Sequence, residues 1–116
     1  MTRKAWSARQ GRSSKWCARP VRLAIYLRDR FTCQYCGADL TGRAPAELAL
    51  DHLRPRCKGG SDAPTNLVTA CRRCNSGRQD RPWWTYATPG AADRIRRQRR
   101  RPLNLVLARK LMRGEV

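Results

Sequence analysis

The plainest chemistry in this chain belongs to four cysteines in two C-x-x-C pairs, Cys33 with Cys36 and Cys71 with Cys74. Two thiolates two residues apart reach one ion from a single turn. Four sulfurs make the closed tetrahedral set of a structural zinc site. Such a site has no open position for water, so it holds a fold together rather than carrying out a reaction. Disulfides or free thiols are the rival readings. The N-terminal stretch has no continuous apolar segment of the secretory kind, so the expected location is cytoplasmic, where metal is favoured over disulfides. Cys17 and Cys57 stand outside the pairs and read as small apolar residues.

Between the pairs lies "LALDHLRPRCKGG", residues 48–60, with the only histidine of the chain. An imidazole titrates near neutrality and can take a proton from water. Asp51, directly before His52, offers a hard oxygen suited to Mg²⁺ or Mn²⁺. Asn66 and Asn75 are two further side chains that can orient a loop or touch an ion. Each has a blander reading: His52 and Asp51 as a surface pair, Asn66 as a turn residue, Asn75 as a helix cap.

Net charge sharpens the choice. At +18 over 116 residues, the chain carries a field that draws polyanions. Nucleic acid is the expected partner, with an anionic membrane surface second. No apolar run is long enough to span a bilayer. Only 41% of residues are hydrophobic, so the core is small and a metal would help to hold it. Arg54, Arg56 and Lys58 after the histidine, and Arg72, Arg73 and Arg78 around the second cysteine pair, are candidates for gripping phosphates. Solvated surface charge is the alternative for each.

The elements that must place these residues read as follows. Residues 1–19 form a basic arm with Trp6 and Trp16 interleaved, either ordering on phosphate or serving as a solubilising tail. "RPVRLAIYLRDRF" reads as a helix opened by Pro20, with Val21, Ala24 and Ile25 on one face and Arg22 and Arg30 off it. "ELALDHL" reads as a strand, with "RPRCK" as its antiparallel partner. Asp51 and His52 can share a site only where that strand ends or bulges, since neighbours on a strand point to opposite faces. "LVTACRRCNSGRQDR" begins apolar and ends helical, with Gly77 against the helix. Residues 81–92 read as an irregular linker, with Trp83 and Trp84 packed on the zinc core or stacked on bases. "DRIRRQRRR" is a charge run that suits nucleic acid. Leu103, Val106, Leu107 and Leu111 mark a short amphipathic helix, packed on this domain or on a second subunit.

The run "FTCQYCGADL … LALDHLRPRCKGGSDAPTNLVTACRRCNSGRQDR" resembles the zinc-stabilised HNH endonucleases. The ordered combination of C-x-x-C, Asp-His, Gly-Gly, Asn-Leu and C-x-x-C-Asn carries that resemblance. It implies an α+β fold, a small ββα-metal (His-Me finger) domain over residues 20–81, with a four-cysteine zinc site. Basic extensions flank it at 1–19 and 82–116. It implies His52 as general base and Asn66 as the residue holding the active loop and orienting His52. Asp51 and Asn75 are implied as ligands to a catalytic Mg²⁺ or Mn²⁺. The chain reads His, Asn, Asn where the family name reads His, Asn, His. A third protein ligand is not evident, Gln79 and Asp80 being the candidates.

The function this implies is metal-dependent hydrolysis of phosphodiester bonds in DNA, expected to be duplex, by nicking or double-strand cleavage. A partner protein in a phage packaging or restriction system is compatible. The alternatives are a noncatalytic zinc-containing nucleic-acid-binding module and a basic structural subunit of a nucleoprotein assembly.

Overall fold

The computed structural model describes residues 16–115. The basic arm up to residue 15, Trp6 included, lies outside them. Helix α1 (Arg19–Arg28) begins with proline in its first turn, where a missing N–H costs nothing. Leu23, Ala24, Ile25 and Tyr26 are buried. Arg22, expected off the apolar face, is buried as well. Its aliphatic stem packs inward, its guanidinium donates to the Tyr26 hydroxyl, and it lies over the Trp16 ring at 5.0 Å.

The sheet is a single antiparallel pair, β1 (Leu48–His52) with β2 (Leu67–Cys71), in register from Leu48 opposite Cys71 to His52 opposite Leu67. The expected partner "RPRCK" is instead an irregular loop with a 3₁₀ turn at Arg56–Lys58. Pro55 has no N–H to donate to a ladder, whereas "LVTAC" offers five residues that are all buried. The far edge of β2 is also covered. The Thr69 amide donates to Asp29 Oδ2 at 2.9 Å, and the Gln34 amide donates to the Thr69 carbonyl at 3.0 Å. An exposed edge strand is thereby avoided.

Helix α2 (Arg72–Arg78) follows β2 directly and accommodates Gly77. The segment expected as an irregular linker is a short helix, α3 (Trp83–Tyr86), followed by α4 (Pro89–Gln98). Thr88 caps α4 by accepting from the Ala91 amide, and Ala91, Ala92 and Ile95 are buried. The charge run as far as Gln98 is therefore an amphipathic helix: Ile95 anchors it, Arg96 and Arg97 face outward, and Arg94 turns in to donate to the carbonyls of Cys33 and Gln34. Helix α5 (Leu105–Arg113) is capped by Asn104, buries Ala108, and packs on α1 of its own chain. Arg28, 7% exposed, ties these parts together. It pairs with Asp29 and donates to the carbonyls of Pro64, Leu67 and Arg99. Among the described residues no helix is long and apolar enough to cross a membrane.

Candidate active site

The cysteine cluster fixes where α2 begins, because Cys71 is also the cap of that helix. The four cysteine sulfurs of the two pairs all lie within 4.8 Å of one another. Cys36 Sγ and Cys71 Sγ are 3.9 Å apart. A tetrahedron of sulfurs at zinc–sulfur distance has edges of about 3.8 Å, so the set fits zinc. Backbone amides point two of the sulfurs: Cys36 N–H towards Cys33 Sγ, and Cys74 N–H towards Cys71 Sγ. Burial pushes the Cys74 thiol up to about 12. Burial opposes ionisation of Cys36 too, but the Ala38 amide and the neighbouring thiols bring it down to about 7. Four crowded sulfurs cannot all ionise unaided, and a divalent cation removes that conflict. Arg73 lies against this cluster and makes a hydrogen bond with Cys36, so at least part of its charge answers the thiolates rather than a phosphate.

Strand β1 delivers Asp51 and His52. The strand ends at His52 without a bulge, and the two side chains occupy different surroundings. Asp51 is 5% exposed. Its Oδ2 accepts from the Tyr35 hydroxyl and from Arg78 Nη1, the latter at 2.6 Å. Among the described residues its Oδ1 accepts no hydrogen bond. Burial pushes the Asp51 carboxyl above the ordinary range, while Tyr35 and Arg78 pull it back.

His52 is half-buried and turns towards the loop that follows. Its Nε2 lies 2.8 Å from Asp62 Oδ1, and its ring lies 4.9 Å from that of Trp16. Arg56 grips the same carboxylate with Nε and Nη2, at 3.0 and 2.7 Å, and lies over the other partner, the Trp16 ring. Arg56 first, then His52, hold the Asp62 carboxyl down to about 2.

Asn66 closes that loop. Its amide NH₂ donates to the carbonyls of Arg54 and Ser61, at 3.0 and 2.7 Å, and its Oδ1 accepts from the Arg54 amide at 2.9 Å. The clamp acts on the chain two residues beyond His52; the side chain that meets the imidazole is Asp62. Gly60 is where the loop folds tightest. A Cβ there would sit 1.7 Å from the Arg54 carbonyl oxygen, so only glycine fits.

Several sequence expectations change. Arg78 does not face solvent to grip phosphate. It is 1% exposed, and besides Asp51 it donates to the carbonyls of His52, Leu53 and Arg81. A fork with every branch engaged on a protein acceptor is a latch between α2 and the end of β1. Arg54, Arg56, Lys58 and Arg72 are exposed, and Arg56 is already paired with Asp62. Asn75, half-buried on α2, makes no side-chain hydrogen bond among the described residues, and Gln79 is exposed beyond the end of that helix. Cys17 is buried, as an apolar residue would be, but Cys57 is exposed. Trp83 is buried and Trp84 is 59% exposed. Residue types alone did not single out Tyr35, Asp62 or Trp16 for the site. Asp62, inside the Gly-Gly to Asn-Leu segment, was the one with a visible signal, as an acid on the loop that returns to His52.

Two comparisons with known proteins fall on this segment. Residues 33–81 match the model of the family described as HNH endonuclease. A stretch of 61 residues, 52% of this chain, is 33% identical to the CRISPR-associated endonuclease Cas9 of Corynebacterium diphtheriae. The matched stretch spans 5% of that protein's length. With the two-stranded sheet, the helix behind it and the four-cysteine cluster, the segment from Cys33 to Arg81 is similar to the HNH endonuclease family.

Proposed function

We propose that the chain is a metal-dependent endonuclease that hydrolyses DNA phosphodiester bonds, with His52 as general base. The observation that carries this reading is the His52–Asp62 pair. The only imidazole of the chain is held by a carboxylate in a loop that Asn66 clamps, at the rim of a zinc-framed fold. With Nε2–H donating to Asp62, Nδ1 keeps the lone pair and is the nitrogen that takes the proton from the attacking water. Trp16 packs against the ring, with centroids 4.9 Å apart. Asp51 and Asn75 each offer an oxygen donor, the kind that suits Mg²⁺ or Mn²⁺. Asp51 would bind through Oδ1, because Oδ2 is engaged by Tyr35 and Arg78. A bound cation there would stabilise negative charge growing on the phosphoryl oxygens. Arg54 and Lys58, exposed on the same loop, would position the substrate backbone.

Supercoiled plasmid tests the reading. Zinc-loaded protein with Mg²⁺ or Mn²⁺ is expected to nick it, and His52→Ala to lose the activity. Omission of Mg²⁺ and Mn²⁺, with the structural zinc verified as retained, is expected to stop it too. Nicking that survives in His52→Ala would remove the imidazole from the mechanism.

One observation favours the second reading, a noncatalytic zinc-containing nucleic-acid-binding module: the Asp51 carboxylate is already neutralised by Arg78. Intact plasmid with every divalent ion tried, together with salt-sensitive DNA binding, would establish it.

A further inference from the structure

Beside the His52 loop lies a cavity of about 480 Å³ whose aromatic wall the proposed hydrolysis does not use. Its size falls within the roughly 300–1,000 Å³ of small-molecule sites. Asn66 and Arg54 form the wall shared with the active loop, Trp83 and Trp84 form an aromatic wall, and Lys58 and Arg99 add charge. Trp84 is 59% exposed, a large apolar surface that nothing in the described fold covers. It is not a loose side chain. Its ring meets the buried Trp83 edge-on, with centroids 6.0 Å apart and planes at 86°. Trp83 is itself buttressed by Arg96 at 5.3 Å.

The cations are oriented as well. Arg54 Nε donates to the Lys58 carbonyl at 2.7 Å, and Arg99 Nε donates to the Thr65 carbonyl at 2.6 Å. Each guanidinium is thus aimed through Nε, while its two Nη groups have no hydrogen-bond partner among the described residues. Burial, then Arg100 and Arg28, hold Arg99 below the ordinary guanidinium range, the situation of a cation lacking its anion. Asp80 also lines the wall, its backbone carbonyl accepting from Lys58 Nζ at 3.2 Å. It disfavours phosphate at that corner and suits the exocyclic amino group of a base.

A held, exposed indole among unpaired guanidiniums matches one ligand chemistry: a flat heteroaromatic ring between phosphates. We propose that this cavity docks one unpaired nucleotide of the DNA substrate, its base stacked on Trp84 and its flanking phosphates on Arg54 and Arg99. The chain would then prefer DNA with a single-stranded or opened segment next to the phosphate presented to His52. Duplex DNA, whose bases face each other, cannot fill the site without unstacking. The proposal rests on the nucleic-acid reading of the chain and does not require cleavage.

The test uses the full chain in a His52→Ala background, so that DNA stays intact. A labelled single-stranded oligonucleotide and a hairpin duplex of equal charge are titrated by fluorescence anisotropy. Trp84→Ala is expected to weaken single-strand binding about tenfold and to leave duplex binding within about twofold. Trp84→Phe, which keeps a ring, is expected to restore most of the loss. An oligonucleotide made only of abasic residues is expected to show no difference between Trp84 and its alanine variant. Unchanged thermal melting and zinc content show that the exposed position leaves the fold intact. Equal weakening of both DNA forms, or no weakening of either, would overturn the docking site. If plasmid nicking fails but the single-strand discrimination holds, the cleavage reading falls and the site stands. If nicking succeeds without discrimination, the site alone falls.

Discussion

Asp62 Oδ1 lies 2.8 Å from His52 Nε2, and the same carboxylate is gripped by both ends of the Arg56 fork. One acid therefore sets the ring orientation and the protonated nitrogen of the only imidazole in the chain. Replacing Asp62 with alanine is expected to lower kcat about 10- to 100-fold, the cost of a misplaced catalytic group. KM should stay within about twofold, since Asp62 is not expected to touch substrate. Steady-state kinetics on a nicked-plasmid or oligonucleotide substrate read the split. A loss confined to KM would show that Asp62 serves binding and does not position the base.

The same carboxylate carries a pH signature. Its folded pKa is about 2, depressed by Arg56 and then His52, against an ordinary value of about 3.9. A depressed acid stabilises the fold above its unfolded pKa, and that contribution fades as pH falls towards the folded value. The stability gap between the wild type and Asp62→Asn is therefore expected to be fully present above about pH 4 and to narrow below it. Matched urea titrations of the two proteins measure it. A gap that widened on acidification would contradict the pairing.

Zinc is expected at one equivalent per chain, measured by metal analysis of the purified protein. Strong chelation should unfold the domain cooperatively, because thiolate–zinc binding supplies about 10–16 kcal/mol of apparent free energy. Circular dichroism follows the loss. A metal-free protein that keeps its melting transition would remove zinc from the fold.

Arg78→Ala is expected to destabilise the fold by about 3–5 kcal/mol, because it leaves the Asp51 carboxylate buried without its partner. Arg78→Lys should recover little, since one ammonium cannot serve Asp51 and the carbonyls of His52, Leu53 and Arg81 together. Chemical denaturation of the two variants measures both effects. A surface arginine that only gripped phosphate would show neither.

Salt reports on the electrostatic contact with DNA. If about six phosphates are neutralised, log affinity falls with log salt at a slope of about −5. A flat response in a salt series of binding titrations would contradict a phosphate-driven interface.

The site-bearing elements could be read from the chain to unequal degrees. The cysteine frame was plain, because ligand spacing is a local property and the fold brings the two pairs together as the spacing requires. Helix α1 and its Pro20 start were likewise local. The partner of β1 was misplaced: "RPRCK" is nearer in sequence, but Pro55 and the Asn66 clamp hold it as a loop, and pairing goes to the more apolar "LVTAC". Arg22 and Arg78 were read as surface charges because propensity sees their type and not their acceptors. Both are buried where a hydroxyl, a carboxylate or free carbonyls await them. Asp62 meets His52 across a sequence separation of ten, only after the loop has closed, a relation no periodicity encodes.

The Arg28 tether bears on how this domain can be moved between proteins. Its guanidinium draws on carbonyls from the loop before β2, from β2 itself and from the end of α4, while α5 rests on the helix that carries it. The stretch shared with the family, 33–81, contains neither α1 nor α5. Cut out at those bounds, it would expose the faces of Leu67, Val68 and Ala70 that are now fully buried. The portable unit is the whole described body, and a graft into another scaffold needs both flanking helices to travel with residues 33–81.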